Sequence, residues 1–375
     1  MKKVVVVLPT FNEEENIEDV ITLILAQQKK VANWEIFVLV TDSHSEDNTQ
    51  KIVAKLVKAN HHLELIDVQE RGIGVGLVHG YRHAFDKMKA DAVIQMDADL
   101  QHDTKEIPNF LLALDEGYDF IQGSRFIKGG KNELEWYRKF FSWSANWFSR
   151  LLLGIYRVHE FTTSYRAFTR EIFTKTNLND IPWQGRSFVF QPAFLYAVHR
   201  AHARIKEIPI VFVDRSRGLS KMQILKYIKD LMIFGIKARI KKYKRFVKFG
   251  MVGTVGFIIN TIGLEVFVKL GLHPSLASAI GAEGAIISNF LLNNHWTFKE
   301  RKIHRGGAPL KFLQFNLTSL GALLIQSGTV FLGVTLLHFG AYRIFYLFGV
   351  GFGMFWNYFM YSNVIWSKNK ESGVS

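Results

Sequence analysis

Cysteine is absent from the 375 residues. Its absence excludes disulfide frameworks, thiolate nucleophiles and cysteine-bound zinc. Acidic residues are few, 33 against 47 Lys and Arg, giving a formal charge of +14 and a pI near 9.7. Such an excess suits three polyanions: nucleic acid, an anionic bilayer or phosphate-bearing substrates. No secretory leader is read at the start. The apolar run 4–8 that follows Met1-Lys2-Lys3 is too short for a signal core, and no small-residue cleavage site follows it. That run is expected to be a buried first strand, with the N-terminal half starting in the cytoplasm.

Apolar residues are abundant. They make up 48% of the chain, 32 of them Phe, and the mean hydropathy of +0.07 is too high for an ordinary soluble enzyme. The length suggests two or three domains at roughly 100–200 residues each. Up to residue 245 the chain alternates short apolar runs (4–8, 36–40, 63–68, 92–96 and 120–123) with helical stretches. This rhythm predicts an α/β domain with a mostly parallel sheet flanked by helices. Functional groups should then gather beyond the carboxyl ends of the strands.

From residue 246 to 375 the composition changes. Four apolar segments at 246–272, 274–296, 312–340 and 342–366 each exceed the ~20 residues needed to span a bilayer. Four in a row, with Glu265 and Glu283 the exceptional acids, are harder to bury as core helices than to place in a membrane. Lys299, Arg301, Lys302, Arg305 and Lys311 crowd the central loop, so this loop and both termini are expected on the cytoplasmic side of a multi-pass cell-membrane protein. The segments also repeat. Phe246 and Phe249 parallel Phe312 and Phe315 at an offset of 66, and 289–298 parallels 357–366 at an offset of 68. With Ser288-Asn289-Phe290 and Trp296-Thr297-Phe298, this duplicated pattern resembles GtrA-like membrane domains and implies two helix pairs of like orientation.

Two stretches inside the first half are read as interfacial. Residues 139–154 carry Phe140, Phe141, Trp143, Trp147 and Phe148. Residues 222–240 space Ile224, Leu225, Ile228, Leu231, Met232 and Ile236 helically beside Lys226, Lys229, Lys237 and Arg239. Aromatic and basic amphipathic helices lie in the headgroup plane, and the alternative is an ordinary core-facing helix.

The chemistry is concentrated in Asp97-Ala98-Asp99-Leu100-Gln101-His102, which follows a strand-like run. If the segment stays extended, Asp97, Asp99 and Gln101 point to one side. Oxygen donors grouped this way suit Mg²⁺ or Mn²⁺ shared with substrate phosphates, whereas a solvated turn is the plainer alternative. At the ends of the first two strands, Glu13 could accept hydrogen bonds from a base or ribose edge and Asp42 from a nucleobase. Ser45-Glu46-Asp47 is read mainly as a helix cap. Arg71-Gly72-Ile73-Gly74-Val75-Gly76 lacks the third glycine of a dinucleotide fingerprint, since position 77 is Leu and 79 is His. A tight turn entering a helix is expected there.

Taken together, Pro9-Thr10-Phe11-Asn12-Glu13, the Asp97–His102 run, Gly123-Ser124-Arg125-Phe126 with Lys128-Gly129-Gly130, and Arg217-Gly218-Leu219-Ser220-Lys221 resemble family 2 glycosyltransferases of GT-A fold, and more narrowly the dolichyl- and polyprenyl-phosphate mannose or glucose synthases. The resemblance covers about residues 1–245. It implies that Pro9, Phe11, Glu13, Val40 and Asp42 hold the nucleoside of a nucleotide-sugar such as GDP-mannose or UDP-glucose. It implies that Asp97, Ala98, Asp99 and Gln101 serve metal and diphosphate, with Asp99 catalytic. Arg125, Arg138 and Ser142 become candidates for the phosphate of a polyprenyl acceptor, and Arg215, Arg217 and Lys221 for closure over the donor diphosphate. Three positions depart from the family pattern: Ser43 replaces a second acid, Ala193 a frequent Glu, and Ser164 the usual Gly.

Two other functions compete. A processive polysaccharide synthase would carry Gln-x-x-Arg-Trp, which Trp183-Gln184-Gly185-Arg186 does not match. A lipid-linked sugar translocator with a degenerate transferase half is kept in view by Ser43 and Ala193. Nucleic acid is not the expected partner, because the basic residues flank the membrane segments.

Overall fold

The computed structural model describes residues 1–182, 187–213, 224–303, 305–338 and 342–367. They form two compact units, Met1–Arg239 and Ile240–Ser375. Arg215, Arg217, Lys221 and the 183–186 string lie outside the described residues.

The first unit begins with β1 (Lys2–Thr10), α1 (Ile17–Ala26), β2 (Trp34–Asp42), α2 (Thr49–Ala59), β3 (Leu63–Asp67), α3 (Ile73–Asp86) and β4 (Ala92–Gln95). It continues with α4 (Ile107–Asp115), β5 (Phe120–Ser124), β6 (Lys131–Asn132), α5 (Trp136–Leu153), β7 (Arg166–Thr169), α6 (Arg170–Lys175), α7 (Phe190–Arg200), β8 (Ile205–Pro209), β9 (Val211–Phe212) and α8 (Ile224–Lys242). Seven strands form one sheet in the order β3-β2-β1-β4-β7-β5-β8, and β6 pairs with β9.

The five anticipated strands are all present. The β1–β2, β2–β3, β1–β4 and β5–β8 pairs are parallel, and β7 alone runs antiparallel between β4 and β5. Alternation along β1 builds two cores. Val4, Val6 and Leu8 pack with Ile17, Val20 and Phe110 on one face. Val5 and Val7 pack with Leu77, Tyr81 and Phe194 on the other. Burial on both faces is why Val4 through Leu8 reads as an unbroken apolar run.

Both stretches read as interfacial are helical. α5 leaves Trp136, Phe140, Trp143 and Trp147 exposed, the first at 76%. It stops at Gly154, whose φ of 69° closes the helix. α8 is apolar on two sides: Tyr227, Leu231, Phe234 and Ala238 join the core, while Leu225, Ile228, Met232 and Ile236 remain exposed. Leu231 is therefore a core residue and not part of an outward stripe. The two helices meet closely, since a Cβ on Gly235 would stand 2.7 Å from Leu152 Cβ. Arg239 Nε donates to Leu152 O at 2.7 Å and its terminal nitrogen donates to Leu151 O, so the last α5 carbonyls are capped from α8.

The second unit holds α9 (Lys244–Lys269), α10 (Pro274–Leu292), α11 (Ala308–Phe331) and α12 (Tyr342–Met360). α9 and α11 are long and apolar enough to cross a membrane. α10 and α12 have 19 residues each and run on into π-helical turns at Asn293–Thr297 and Tyr361–Ile365. The third helix begins at Ala308, earlier than expected, because Pro309 suits the first helical turn.

Two close helix approaches recur at the spacing of the sequence repeat. Gly281 presses on Asn260 and Gly349 on Gln326, the same pair at offsets of 68 and 66. The equivalent rings Phe298 and Trp366 stack at 4.8 Å and 9° within an aromatic cluster that includes Phe249, Phe290, Phe315 and Tyr361.

Candidate active site

In a parallel sheet the carboxyl ends of the strands share one edge. Here β1, β2, β4 and β5 deliver Phe11 and Glu13, Ser43, the Asp97, Ala98, Asp99 and Gln101 group, and Arg125 to a single cavity of about 920 Å³. Pro9, Phe11, Glu13, Asp97, Ala98, Asp99 and Gln101 line it. Arg125, Arg138 and Ser142 line it as well, together with apolar residues of α5 and α8 such as Phe141, Phe148 and Met232.

Val40 and Asp42 do not line this cavity. Both are fully buried. The Asp42 carboxylate already accepts from Thr10 Oγ1 (2.9 Å), Ser45 N (2.8 Å), Ser45 Oγ (2.6 Å) and Gln50 Nε2 (2.6 Å). It clamps the ends of β1 and β2, and Ser43 is the residue left on the wall. Ser45 serves that clamp, with its Oγ also accepting from Asn12 N at 2.9 Å. Asn48 occupies the cap position of α2 without a side-chain cap hydrogen bond, and Asp47 just before it accepts from Thr49 N at 2.9 Å. Burial pushes the Asp47 carboxyl up, but the Thr49 hydrogen bonds outweigh it and hold the group below its ordinary range. Arg71-Gly72 does form the tight turn into α3, with Gly72 at φ 140°. Arg71 lies over the Phe11 ring at 5.1 Å.

The acid-bearing segment after β4 is bent, not extended. Leu100 adopts a left-handed φ of 61°, and this bend keeps Asp97, Asp99 and Gln101 on the cavity wall. Three contacts brace them. Ser164 Oγ donates to Asp97 Oδ2. Gln101 N donates to Asp99 Oδ1 at 3.2 Å. Gln101 Nε2 donates to Val213 O at 3.0 Å, which fixes the orientation of the amide. Among the described residues no cluster of three or more His, Asp or Glu is gathered. Two carboxylates and an amide fit a hard divalent cation that completes its shell with substrate phosphates and water.

His102 sits behind this loop. Its Nδ1 accepts from Asp97 N at 3.2 Å, so Nε2 carries the proton and donates to Thr163 Oγ1 at 3.2 Å. Burial depresses its pKa to about 4, with Asp99 opposing and Arg125 assisting that shift. The ring is neutral near pH 7 and stacks on Tyr165 at 4.8 Å.

Arg125 is bound to a partner the sequence did not suggest. Nε and a terminal nitrogen donate to Glu160 Oε2 (2.8 Å) and Oε1 (2.9 Å), and the latter nitrogen also reaches Thr162 Oγ1 (2.7 Å). Burial pushes the Glu160 carboxyl up, but the Arg125 charge and hydrogen bonds pull it below the ordinary value. Glu160 Oε1 also accepts from Thr162 N at 3.0 Å and from Asn146 Nδ2 at 3.3 Å. Asn146 Nδ2 in turn donates to Ser142 O at 2.8 Å. One buried carboxylate thus ties Arg125 to the α5 turn bearing Ser142. A lone acid in Glu160-Phe161-Thr162-Thr163 was the available signal, but residue order alone could not pair it with Arg125. Arg138 and Ser142 stand one turn apart on α5, and the Ser142 hydroxyl is buried with no hydrogen-bond partner among the described residues.

Residues 5–176 match the family described as Glycosyl transferase family 2, and residues 248–366 match the GtrA/DPMS transmembrane domain. The chain is 30% identical over 334 residues to the dolichol-phosphate mannosyltransferase of Pyrococcus furiosus, covering 86% of this chain and 88% of that one. It belongs to the family 2 glycosyltransferases. It is also 30% identical over 254 residues to the polyprenol monophosphomannose synthase of Mycolicibacterium smegmatis, covering 66% of this chain and 92% of that one. Among solved structures it is similar to glucosyl-3-phosphoglycerate synthase from Mycobacterium tuberculosis, at 18% identity and a TM-score of 0.45, over 64% of this chain and 79% of that one. As a glycosyltransferase with a GtrA/DPMS transmembrane domain, the chain is a membrane protein.

Two departures from the glycosyltransferase pattern now have a place. Ser164 supplies the hydroxyl that holds Asp97. Ala193 is fully buried in the core, whereas Gln191, two residues earlier on α7, lines the cavity with a buried Nε2 that has no partner among the described residues.

Proposed function

We propose that this chain transfers a hexose from a nucleotide-sugar to polyprenyl phosphate with inversion at the anomeric carbon. Mannose from GDP-mannose is favoured over glucose from UDP-glucose, because the two curated relatives are both mannose enzymes by name. The observation that carries the reading is the composition of one cavity. Carboxylates on strand-end loops share it with Arg138 and Ser142 on α5, the helix whose outer face exposes Trp136, Phe140, Trp143 and Trp147. A water-borne donor and a lipid phosphate can therefore meet at headgroup depth.

The acceptor oxygen attacks the anomeric carbon while its bond to the donor diphosphate breaks. A phosphate monoester is already anionic near neutral pH, so no general base is required and positioning carries the reaction. Arg138 and the Ser142 hydroxyl orient the acceptor phosphate. Arg125, its charge already matched by Glu160, contributes placement more than net attraction. Asp97, Asp99 and Gln101 would hold a divalent cation, Mg²⁺ or Mn²⁺, which would supply charge stabilisation for the departing diphosphate. The sugar-bearing unit and both termini are assigned to the cytoplasm from Lys299, Arg301 and Lys302 between α10 and α11, with Lys311 in the first turn of α11.

The test is incubation of the purified chain with labelled nucleotide-sugars and polyprenyl phosphate. An extractable β-linked lipid phosphosugar is expected. Absence of labelled lipid with every donor would overturn the reading and favour a translocator. A retained anomeric configuration would overturn inversion.

A further inference from the structure

The cavity has a second helical wall, α8, and one polar group on it faces no partner. Tyr227 is only 7% exposed, yet it lines the cavity, and its hydroxyl has no hydrogen-bond partner among the described residues. Ser149 Oγ lies near it without forming a hydrogen bond of normal geometry, and both oxygens are buried and unmatched. The Ser142 hydroxyl, on the opposing helix, is in the same condition.

A buried hydroxyl without a partner is costly, and evolution of an apolar core would ordinarily replace it by Phe or Ala. Two such hydroxyls lining one cavity call for a ligand rich in acceptors. The Tyr227 ring is fixed by packing with Leu231 and Phe234 in the core. Burial raises the phenol pKa well above its ordinary value, so the group remains a neutral donor at every working pH. A sugar hydroxyl would not need donors alone; a phosphate, which only accepts, would.

We infer that the Tyr227 hydroxyl hydrogen-bonds the phosphate of the lipid acceptor opposite Ser142, so that α8 and α5 read the acceptor headgroup together. This rests on the transfer reaction proposed above. The donor diphosphate is the other phosphate source, and the two are separated by which Michaelis constant moves.

Tyr227→Phe keeps the ring and removes only the oxygen. The expected result is a rise of roughly ten-fold or more in KM for polyprenyl phosphate, with KM for the nucleotide-sugar unchanged. The melting temperature of the protein without substrates should stay level or rise, because an unmatched polar atom has been deleted. An unchanged acceptor KM would overturn the inference while leaving the transferase reading intact. A rise in donor KM alone would overturn it in favour of a diphosphate contact. A lowered melting temperature with both constants raised would overturn it in favour of a packing role. A wild-type chain that forms no lipid-linked sugar would overturn the transferase reading and this inference with it.

Discussion

Arg125 and Glu160 face each other across a two-point ion pair with side-chain exposures of 5% and 0%. A pair so deeply buried contributes little net stability, because desolvation offsets attraction, but breaking it strands a charge. Glu160→Gln is expected to destabilise the protein by about 3–5 kcal/mol. Replacing both partners by Met should restore most of that loss, as read by melting in detergent. Transfer should stay impaired in the double variant, because Arg125 lines the cavity. If the double variant were no more stable than the single one, the pair would not be the source of the effect.

Asp99 is 3% exposed, lies on the cavity wall and accepts from Gln101 N. Asp99→Ala is expected to lower transfer on the order of 10²–10³-fold or more while membrane insertion and melting stay near normal. Chelation with EDTA should do the same to the wild type, with recovery on adding Mg²⁺ or Mn²⁺. Near-normal turnover in either experiment would remove the cation from this site.

His102 gives the fold a pH signature. Its pKa is about 4 in the folded protein against an ordinary 6.5. Between those values the unfolded chain holds the extra proton and the native one does not, so stability is complete above pH 6.5 and falls as pH drops toward 4. The loss amounts to about 3 kcal/mol over that window. His102→Asn keeps an acceptor near the Nδ1 position and should flatten the slope over the same range. An equally steep slope in that variant would assign it to other groups.

The sheet was legible because its runs are apolar on both faces. The buried Val4–Leu8 stretch could be little else in an alternating pattern. β7 escaped because Arg166-Ala167-Phe168-Thr169 is four residues long and opens on an arginine that turns out fully buried, donating to Thr163 O and Gln191 O. Asp97, Asp99 and Gln101 were legible from spacing, although the left-handed Leu100 and not an extended strand brings them together. Asp42 was read as a nucleobase contact because a strand-end acid looks available until its four internal donors are seen. Glu160 and His102 act through partners 35 and 5 residues away, and such pairing is a property of the fold alone.

The membrane unit carries the last prediction, which tests its internal duplication. An added Cβ would stand 2.8 Å from the Asn260 carbonyl oxygen at Gly281 and 2.9 Å from Gln326 Cα at Gly349. Both obstacles are backbone, so neither can swing aside, and the helices must separate. Gly281→Ala and Gly349→Ala should each destabilise their helix pair by about 1–3 kcal/mol. Gly250 and Gly351 meet nothing within 4 Å. Alanine there relieves only the poor helix propensity of glycine and should be neutral or stabilising by up to about 1 kcal/mol. Melting of the four variants in one detergent measures the contrast. Equal effects at Gly281 and Gly349 are expected because the same crossing is built twice, once from α9 with α10 and once from α11 with α12. A loss at only one of the two, or at neither, would mean that the close approach is not a shared element of both pairs.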